Sequence, residues 1–324
     1  MITIVTPVYN AERFLRQTAN CIFKQRYSDY QWILVDDGSN DTSGFICDEL
    51  ADKDSRVNVI HQSNSGVSAA RNAALQEVKG DWVVFLDADD EVTPEWLQNY
   101  VEAITNDVDI VFQGAVIKDN SSEKRIQLED TRLSVDSFIN IWQNRYKELG
   151  SAWSKMIRTS LIKNNKVQFQ VGINNFEDWI FLTQCLCFAS GICFISGMGY
   201  IYNHQNSFIT AKTGKRRSAE QTYAIAKSWY DSMHLLKNRY YEGYGLLLCR
   251  LSSLVIQTVI EYYRRSDIKQ SQRIELLEEF KLIDVNKTCL TFAQKVTNVL
   301  WLRKYPLVTD VILLFWRFVN YIDK

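Results

Sequence analysis

Asp87, Ala88, Asp89 and Asp90 follow directly on the apolar run Val83-Val84-Phe85-Leu86. Carboxylates crowded at the end of a buried strand repel one another unless a positive charge sits among them. A hard divalent cation answers that need, because Mg2+ or Mn2+ takes one or two protein carboxylates and completes its shell with phosphate oxygens. The same residues also suit an ordinary strand-to-helix turn, with an Asp or Thr93 capping a helix that starts near Pro94. A second acidic pair, Glu177-Asp178, stands just before the apolar run Ile180 to Ala189. A carboxylate at a helix start caps it and meets its dipole. It is also a sound place to hold a general base that takes the proton of an attacking hydroxyl.

Two further polar islands carry chemistry. Asp36-Asp37-Gly38-Ser39 offers carboxylates that can accept from a uracil N3–H or a ribose hydroxyl, and it is equally common turn chemistry. Asn64-Ser65-Gly66, followed by Ala70-Arg71-Asn72, puts small residues and an arginine at a helix start. That arrangement suits a phosphate or carboxylate ligand, or an arginine that pairs with the acidic cluster. No Gly-x-Gly-x-x-Gly and no Walker A lysine motif is present, which weighs against dinucleotide and P-loop chemistry.

The elements that must hold these islands alternate along the first 115 residues. Strands read over Ile2 to Val8, Trp32 to Val35, Val57 to His61 and Trp82 to Leu86, and a fifth opens at Ile110 to Phe112. Helices read over Glu12 to Lys24, Ser43 to Ala51, Ser68 to Val78, with Gly80 closing it in a left-handed cap, and Glu95 to Thr105. Short apolar strands separated by helices predict parallel βαβ units, an α/β fold with helices on both faces of the sheet. The islands, with Thr6-Pro7-Val8-Tyr9-Asn10, all fall at the carboxyl ends of strands, where such sheets bind ligands. The polar stretch from about 117 to 135 reads as a surface hairpin or loop. Residues 136 to 210 mix helix and strand, and 215 to 324 read as helical, with no glycine after Gly245.

The chain has 324 residues and a net charge of -1, which gives no global attraction for nucleic acid. It has seven cysteines without framework spacing and a start that reads as a strand rather than an export signal, so free thiols in a reducing cytosol are expected. Cys185, Cys187 and Cys193 lie on an apolar segment without His or Asp at ligand spacing and read as buried small hydrophobes. Three histidines exclude a histidine-rich metal centre.

With these residues in view, the chain resembles the family 2 glycosyltransferases of bacterial surface-polysaccharide synthesis. The resemblance covers residues 1 to about 210. It rests on Thr6-Pro7-Val8-Tyr9-Asn10, Val35-Asp36-Asp37-Gly38-Ser39, Asn64-Ser65-Gly66 with Ala70-Arg71-Asn72, and Phe85-Leu86-Asp87-Ala88-Asp89-Asp90, in that order. Glu177-Asp178 and Trp153-Ser154-Lys155 also look like the family's bacterial members. The resemblance implies a GT-A fold: a Rossmann-like, mostly parallel sheet flanked by helices. The expected catalytic domain is 1–214, split into a nucleotide-sugar part, 1–115, and an acceptor and base part, 116–214. A helical region, 215–324, follows.

It further implies that Thr6, Pro7 and Tyr9 line the nucleotide pocket, with Asn64, Gly66 and Ala88 beside it, and that Asp37 binds uracil with Asp36 close by. Arg71 would contact the nucleotide or hold the acidic loop. Asp87 would bind ribose or sugar, and Asp89 would ligate a Mn2+ or Mg2+ ion bridging the diphosphate. Asp178 would be the base, with Glu177 placing donor or acceptor. The implied reaction inverts the anomeric centre, moving a sugar from a UDP-sugar to a glycan or lipid-linked oligosaccharide.

One departure stands out. Many relatives carry an arginine after an aromatic pair, whereas here Tyr200-Ile201-Tyr202 is followed by Asn203 and His204. The diphosphate-contacting arginine is missing or shifted, with His204, Lys212 or Lys215 as substitutes. A lone histidine is more often a structural hydrogen-bonding residue.

At the far end, 297–324 is apolar, aromatic and punctuated by basic residues, and its run Val311 to Val319 is too short to span a bilayer. An interfacial helix on the inner face of the cytoplasmic membrane and a helix docked on the appendage or on a second subunit are both open. A nucleotidyltransferase would share the sheet and the metal logic, but its glycine-rich basic signature is replaced by Thr6-Pro7-Val8-Tyr9-Asn10. A catalytically silent nucleotide-binding subunit is disfavoured by Asp37, Asp87, Asp89 and Asp178 together.

Overall fold

The computed structural model describes residues 1–119, 121–173, 175–203 and 219–233, with scattered positions between 236 and 271. The chain divides into two compact units, Met1–Gly214 and Lys215–Lys324. His204, Lys212 and Lys215 lie outside the described residues, as does the 297–324 segment. Among the described residues, no helix is long and apolar enough to cross a membrane. In the second unit, α8 (Ala219–Met233) carries the buried side chains of Ile225, Ala226, Trp229 and Met233.

The first unit is built on a ten-stranded sheet. Its opening part is β1 (Ile2–Val8), β2 (Tyr30–Asp36), β3 (Val57–His61) and β4 (Trp82–Phe85), all parallel, in the spatial order β3-β2-β1-β4. Between them run α1 (Leu15–Phe23), α2 (Ser43–Lys53) and α3 (Val67–Glu77). Every residue of β2 and β4 is buried, as expected of strands covered on both faces.

Beyond β4 come β5 (Glu91–Val92), α4 (Trp96–Glu102), β6 (Ile110–Lys118), β7 (Glu123–Ile126), β8 (Thr131–Leu133) and α5 (Val135–Asn144). Then follow β9 (Lys155–Arg158), α6 (Thr159–Asn164), α7 (Glu177–Phe188) and β10 (Ile192–Asn203). The sheet continues β4-β9-β6-β10-β5, with β9 antiparallel to both neighbours and β10 parallel to β6. The polar stretch after residue 117 is a hairpin: β7 folds back on β6, and Asp119 donates its N–H to the carbonyl of Ser122 at 2.9 Å.

Two expectations shift. The first helix starts at Leu15, because the chain first turns through Ala11 to Phe14, where Ala11 accepts from both Phe14 and Leu15. Gly80 does not close α3 in a left-handed cap; Val78 ends the helix in an extended conformation. Gly80 is instead a point of close approach. A Cβ there would stand 2.7 Å from the backbone nitrogen of Thr3, and the Gly80 N–H donates to the Thr3 hydroxyl.

Candidate active site

The strand order fixes where the cleft lies. The chain lays down β1, β2 and β3 outward in one direction, then crosses back to set β4 on the other side of β1. At that reversal the connections leave the sheet in opposite directions, and a crevice opens at the carboxyl ends of β1 and β4. Pro7 and Tyr9 sit at the end of β1, with Tyr9 44% exposed. Thr6 turns its hydroxyl inward, where it accepts from the Trp32 indole at 3.0 Å.

At the end of β2, the two carboxylates have separate tasks. Asp36 accepts from the Ser39 N–H and pairs with His61 at 3.1 Å. Asp37 is buried and binds the loop after β3: Gln62 Nε2 and the Ser65 N–H donate to Oδ1, and the Gly66 N–H donates to Oδ2, all at 2.7–2.8 Å. Gly66 has φ +88°, a conformation L side chains rarely adopt, and it starts α3 from this loop. Asn64 is exposed in the same loop.

His61 also pairs with Asp48 at 3.0 Å, and its hydrogen bonds to Asp48 and Asp36 hold its pKa above the ordinary value. A raised folded-state pKa favours the fold below the unfolded value and loses that contribution as pH rises. His61→Ala is therefore expected to melt below the wild-type protein near pH 5.5, with the gap closing toward pH 8. The imidazole is half-exposed, so the effect is at most about 1 kcal/mol. Melting curves across that range check it.

Arg71, on α3, is the centre of the site. Its side chain is 4% exposed, and its guanidinium spans two elements distant in sequence. Nη2 donates to Asp87 Oδ1 at 3.0 Å, Nη1 donates to Asp178 Oδ1 at 2.8 Å, and Glu177 lies 3.7 Å from Nη1. Its flat face rests 5.1 Å from the Phe169 ring, which stacks on Phe181 at 3.9 Å and meets Phe85 edge-on. Planar contact and forked donors together are what an arginine supplies and a lysine does not.

The other oxygen of Asp178, Oδ2, accepts from the Ala152 N–H at 3.0 Å. Glu177 is mostly buried, and its Oε2 has no hydrogen-bond partner among the described residues. Burial raises its pKa, the Asp178 charge raises it further, and Arg71 opposes both.

The acidic turn after β4 is gripped on several sides. Thr18, on α1, donates its hydroxyl to the carbonyls of Ala88 and Asp90 at 2.8 and 3.0 Å. Asp90 is fully buried and accepts from the Tyr200 hydroxyl at 2.7 Å and the Asn203 N–H at 2.8 Å. Its pKa is pushed well up by burial and by the Asp87 and Asp89 charges. Asp89 is pushed up to about 6, by burial first and by Asp87 second. A turn that strains to keep its carboxylates charged fits a divalent cation. Among the described residues, no group of three or more His, Cys, Asp or Glu side chains surrounds one ion position. An ion shared between Asp89 and substrate phosphates needs no such cage.

Backbone strain marks the start of α7. Asn175 and Phe176 adopt φ +67° and +77°, immediately before Glu177. Left-handed conformations cost non-glycine residues about 1–3 kcal/mol and cluster where a site needs a particular aim. Packing holds them there: Phe176 leans on Trp179, and Trp179 on Trp142. Trp153, just before β9, stacks on Tyr200 at 4.8 Å and on Tyr202 at 5.7 Å.

The structure thus brings Arg71, Asp87, Glu177 and Asp178 into direct contact, and ties Asp36 and Asp37 to the loops flanking them. His204 lies outside the described residues. Sequence reasoning gave no role to Thr18, Ala152, Phe169 or Asn203. Three of these four act through a backbone group or an apolar face, which leaves no motif.

The Glycosyl transferase family 2 model matches residues 3–167. Glycosyltransferase GlyA of Streptococcus pneumoniae serotype 4 is 31% identical over 182 residues, 53% of this chain and 26% of that protein. EpsH of Bacillus subtilis (strain 168) is 27% identical over 229 residues, 66% of this chain and 64% of that protein. The chain spans less than two thirds of either relative. Among solved structures, Staphylococcus aureus TarS 1-349 in complex with UDP-GlcNAc aligns with a TM-score of 0.72 at 18% identity, covering 99% of this chain and 91% of that one. At that identity the likeness is one of fold, the GT-A arrangement.

Proposed function

The chain belongs to glycosyl transferase family 2, and from that premise we propose that it moves a sugar from a UDP-sugar to a hydroxyl of a glycan or lipid-linked glycan in bacterial surface-polysaccharide synthesis. The observation that carries the proposal is the Arg71 bridge. One buried guanidinium holds the first carboxylate of the acidic turn and the carboxylate best placed as base. TarS, of the same fold, is solved with UDP-GlcNAc, which supports a UDP-sugar donor.

The chemistry follows from the arrangement. Asp178, fixed by Arg71 and Ala152, takes the proton of the acceptor hydroxyl. The acceptor oxygen attacks the anomeric carbon from the face opposite the diphosphate. The bond from that carbon to the diphosphate oxygen breaks, UDP leaves with the electron pair, and configuration inverts. Glu177, inclined to keep its proton, can donate to a hydroxyl of donor or acceptor. Asp37 would accept the uracil N3–H in place of one of its loop contacts. Asp89, with Asp87 beside it, would hold Mn2+ or Mg2+, which when bound neutralises charge developing on the departing diphosphate.

Thermal melting with UDP, GDP, CMP and dTDP, each with Mn2+ and again with EDTA, tests this reading. A ligand at 100 times its Kd adds about 2.7 kcal/mol, readily seen as a rise in Tm. The expected result is a rise with UDP that EDTA diminishes. No rise with any of the four nucleotides contradicts the donor-site assignment.

A further inference from the structure

Lys155 opens β9 and is 1% exposed, among the most deeply buried side chains of the protein. Such a residue normally ion-pairs. Its hydrogen bond goes instead to the Ser151 carbonyl, and its Nζ lies 5.5 Å from the centre of the Phe112 ring. That carbonyl is the hub of a tight turn: the Ser154 hydroxyl donates to it at 2.9 Å and the Ser154 N–H at 3.3 Å. The Ser154 hydroxyl also reaches the Leu149 carbonyl at 3.1 Å. Ala152, next in the chain after Ser151, aims its N–H at Asp178 Oδ2 at 3.0 Å. Thus the peptide unit joining Ser151 to Ala152 receives Lys155 on its oxygen and gives its N–H to Asp178.

We propose that Lys155 is a positioning residue for the transfer reaction: by holding the Ser151 carbonyl it fixes the peptide that orients Asp178. The inference rests on the reading of Asp178 as the base. A second observation points the same way. Burial pushes the Lys155 ammonium down to about 7, with Asp178 and Cys185 favouring its charge and Arg71 opposing it. A buried ammonium on one carbonyl and a ring face carries a desolvation cost that such contacts offset only in part. Replacing such a group by an apolar one of similar volume is often neutral or stabilising. A residue kept for function and one kept for stability therefore give opposite answers.

The test compares Lys155→Met with Asp178→Asn in the full chain, reading Tm, UDP affinity and UDP release from UDP-GlcNAc with acceptor. Lys155→Met is expected to melt at or above the wild-type temperature and to bind UDP within about twofold. Its kcat should fall about 10- to 100-fold, with donor KM little changed, as misplacing a reactive group does. Lys155→Gln, which keeps a shorter donor, should fall between the two. A Lys155→Met protein with wild-type kcat overturns the inference, as does one that loses Tm and UDP binding together with activity. If Met does not fold and Gln keeps wild-type kcat, Lys155 is structural. If Asp178→Asn itself keeps wild-type turnover, the reading of the base has failed, whatever Lys155 does.

Discussion

Asp178→Asn is expected to lose about 10²–10⁴-fold in kcat while binding UDP as the wild-type protein does, because a positioned general base contributes about that much. The substitution is nearly isosteric. The new amide oxygen can still accept from Ala152, but its NH2 then faces the Arg71 donor, and it cannot carry the acceptor's proton. The fold should lose part of the stability that the Arg71 pair supplies. Asp178 is the largest charged contributor holding the Glu177 pKa up, after burial itself. With that charge gone, Glu177 ionises more readily and becomes a counter-charge for Arg71, 3.7 Å away. Steady-state turnover beside UDP titration checks this. Unchanged turnover removes Asp178 from its role.

Arg71→Met should have the largest effect on stability. The guanidinium is buried and compensates Asp87, Glu177 and Asp178 together. Removing one partner of a buried charge pair costs about 3–5 kcal/mol, because the charges left behind have neither water nor counter-ion. For a domain of this size that is a fall in Tm on the order of 10 °C. The deficit should depend on pH in a definite direction. Arg71 opposes the upward push on Glu177, so without it the Glu177 carboxyl is held still further above its ordinary pKa, and the stability of its protonated form is lost as pH increases. The Tm gap from wild type is thus expected to widen from pH 5 to pH 8. Arg71→Lys should recover only part of it, since an ammonium cannot fork to both Asp87 and Asp178. A pH-independent gap, or a variant as stable as wild type, contradicts the bridge.

The parallel part of the fold was legible because its strands are short, mostly apolar runs between turn-forming residues. Val57 to His61 matched to the residue. Helix ends were read less well, since Gly80 serves a backbone crossing against Thr3 and not a cap. The acidic residues of the site stood out by type and place, at strand ends and a helix start. Arg71 against the acidic turn is one of the readings that the residues leave open; its reach to Asp178 was not legible. Arg71 and Asp178 are separated by more than a hundred residues, and no local pattern says that one guanidinium joins them. The supports of the site were hidden for a different reason. Ala152 acts through its N–H and Phe169 through its ring face, and the left-handed turn before Glu177 runs through Phe176, a residue type that gives no sign of it. Thr18 grips the acidic turn from a helix that reads as ordinary amphipathic sequence.

The central claim is that the crevice between β1 and β4 receives a uridine diphosphate with its uracil at Asp37 and its diphosphate at Asp89. A crystal structure of the full chain with UDP and Mn2+ tests it most directly. The account predicts the uracil N3–H on Asp37, the ribose beside the Asp87 turn, and Mn2+ between Asp89 and the diphosphate, with Arg71 still joining Asp87 to Asp178. UDP bound elsewhere, or Mn2+ held away from Asp89, would contradict it.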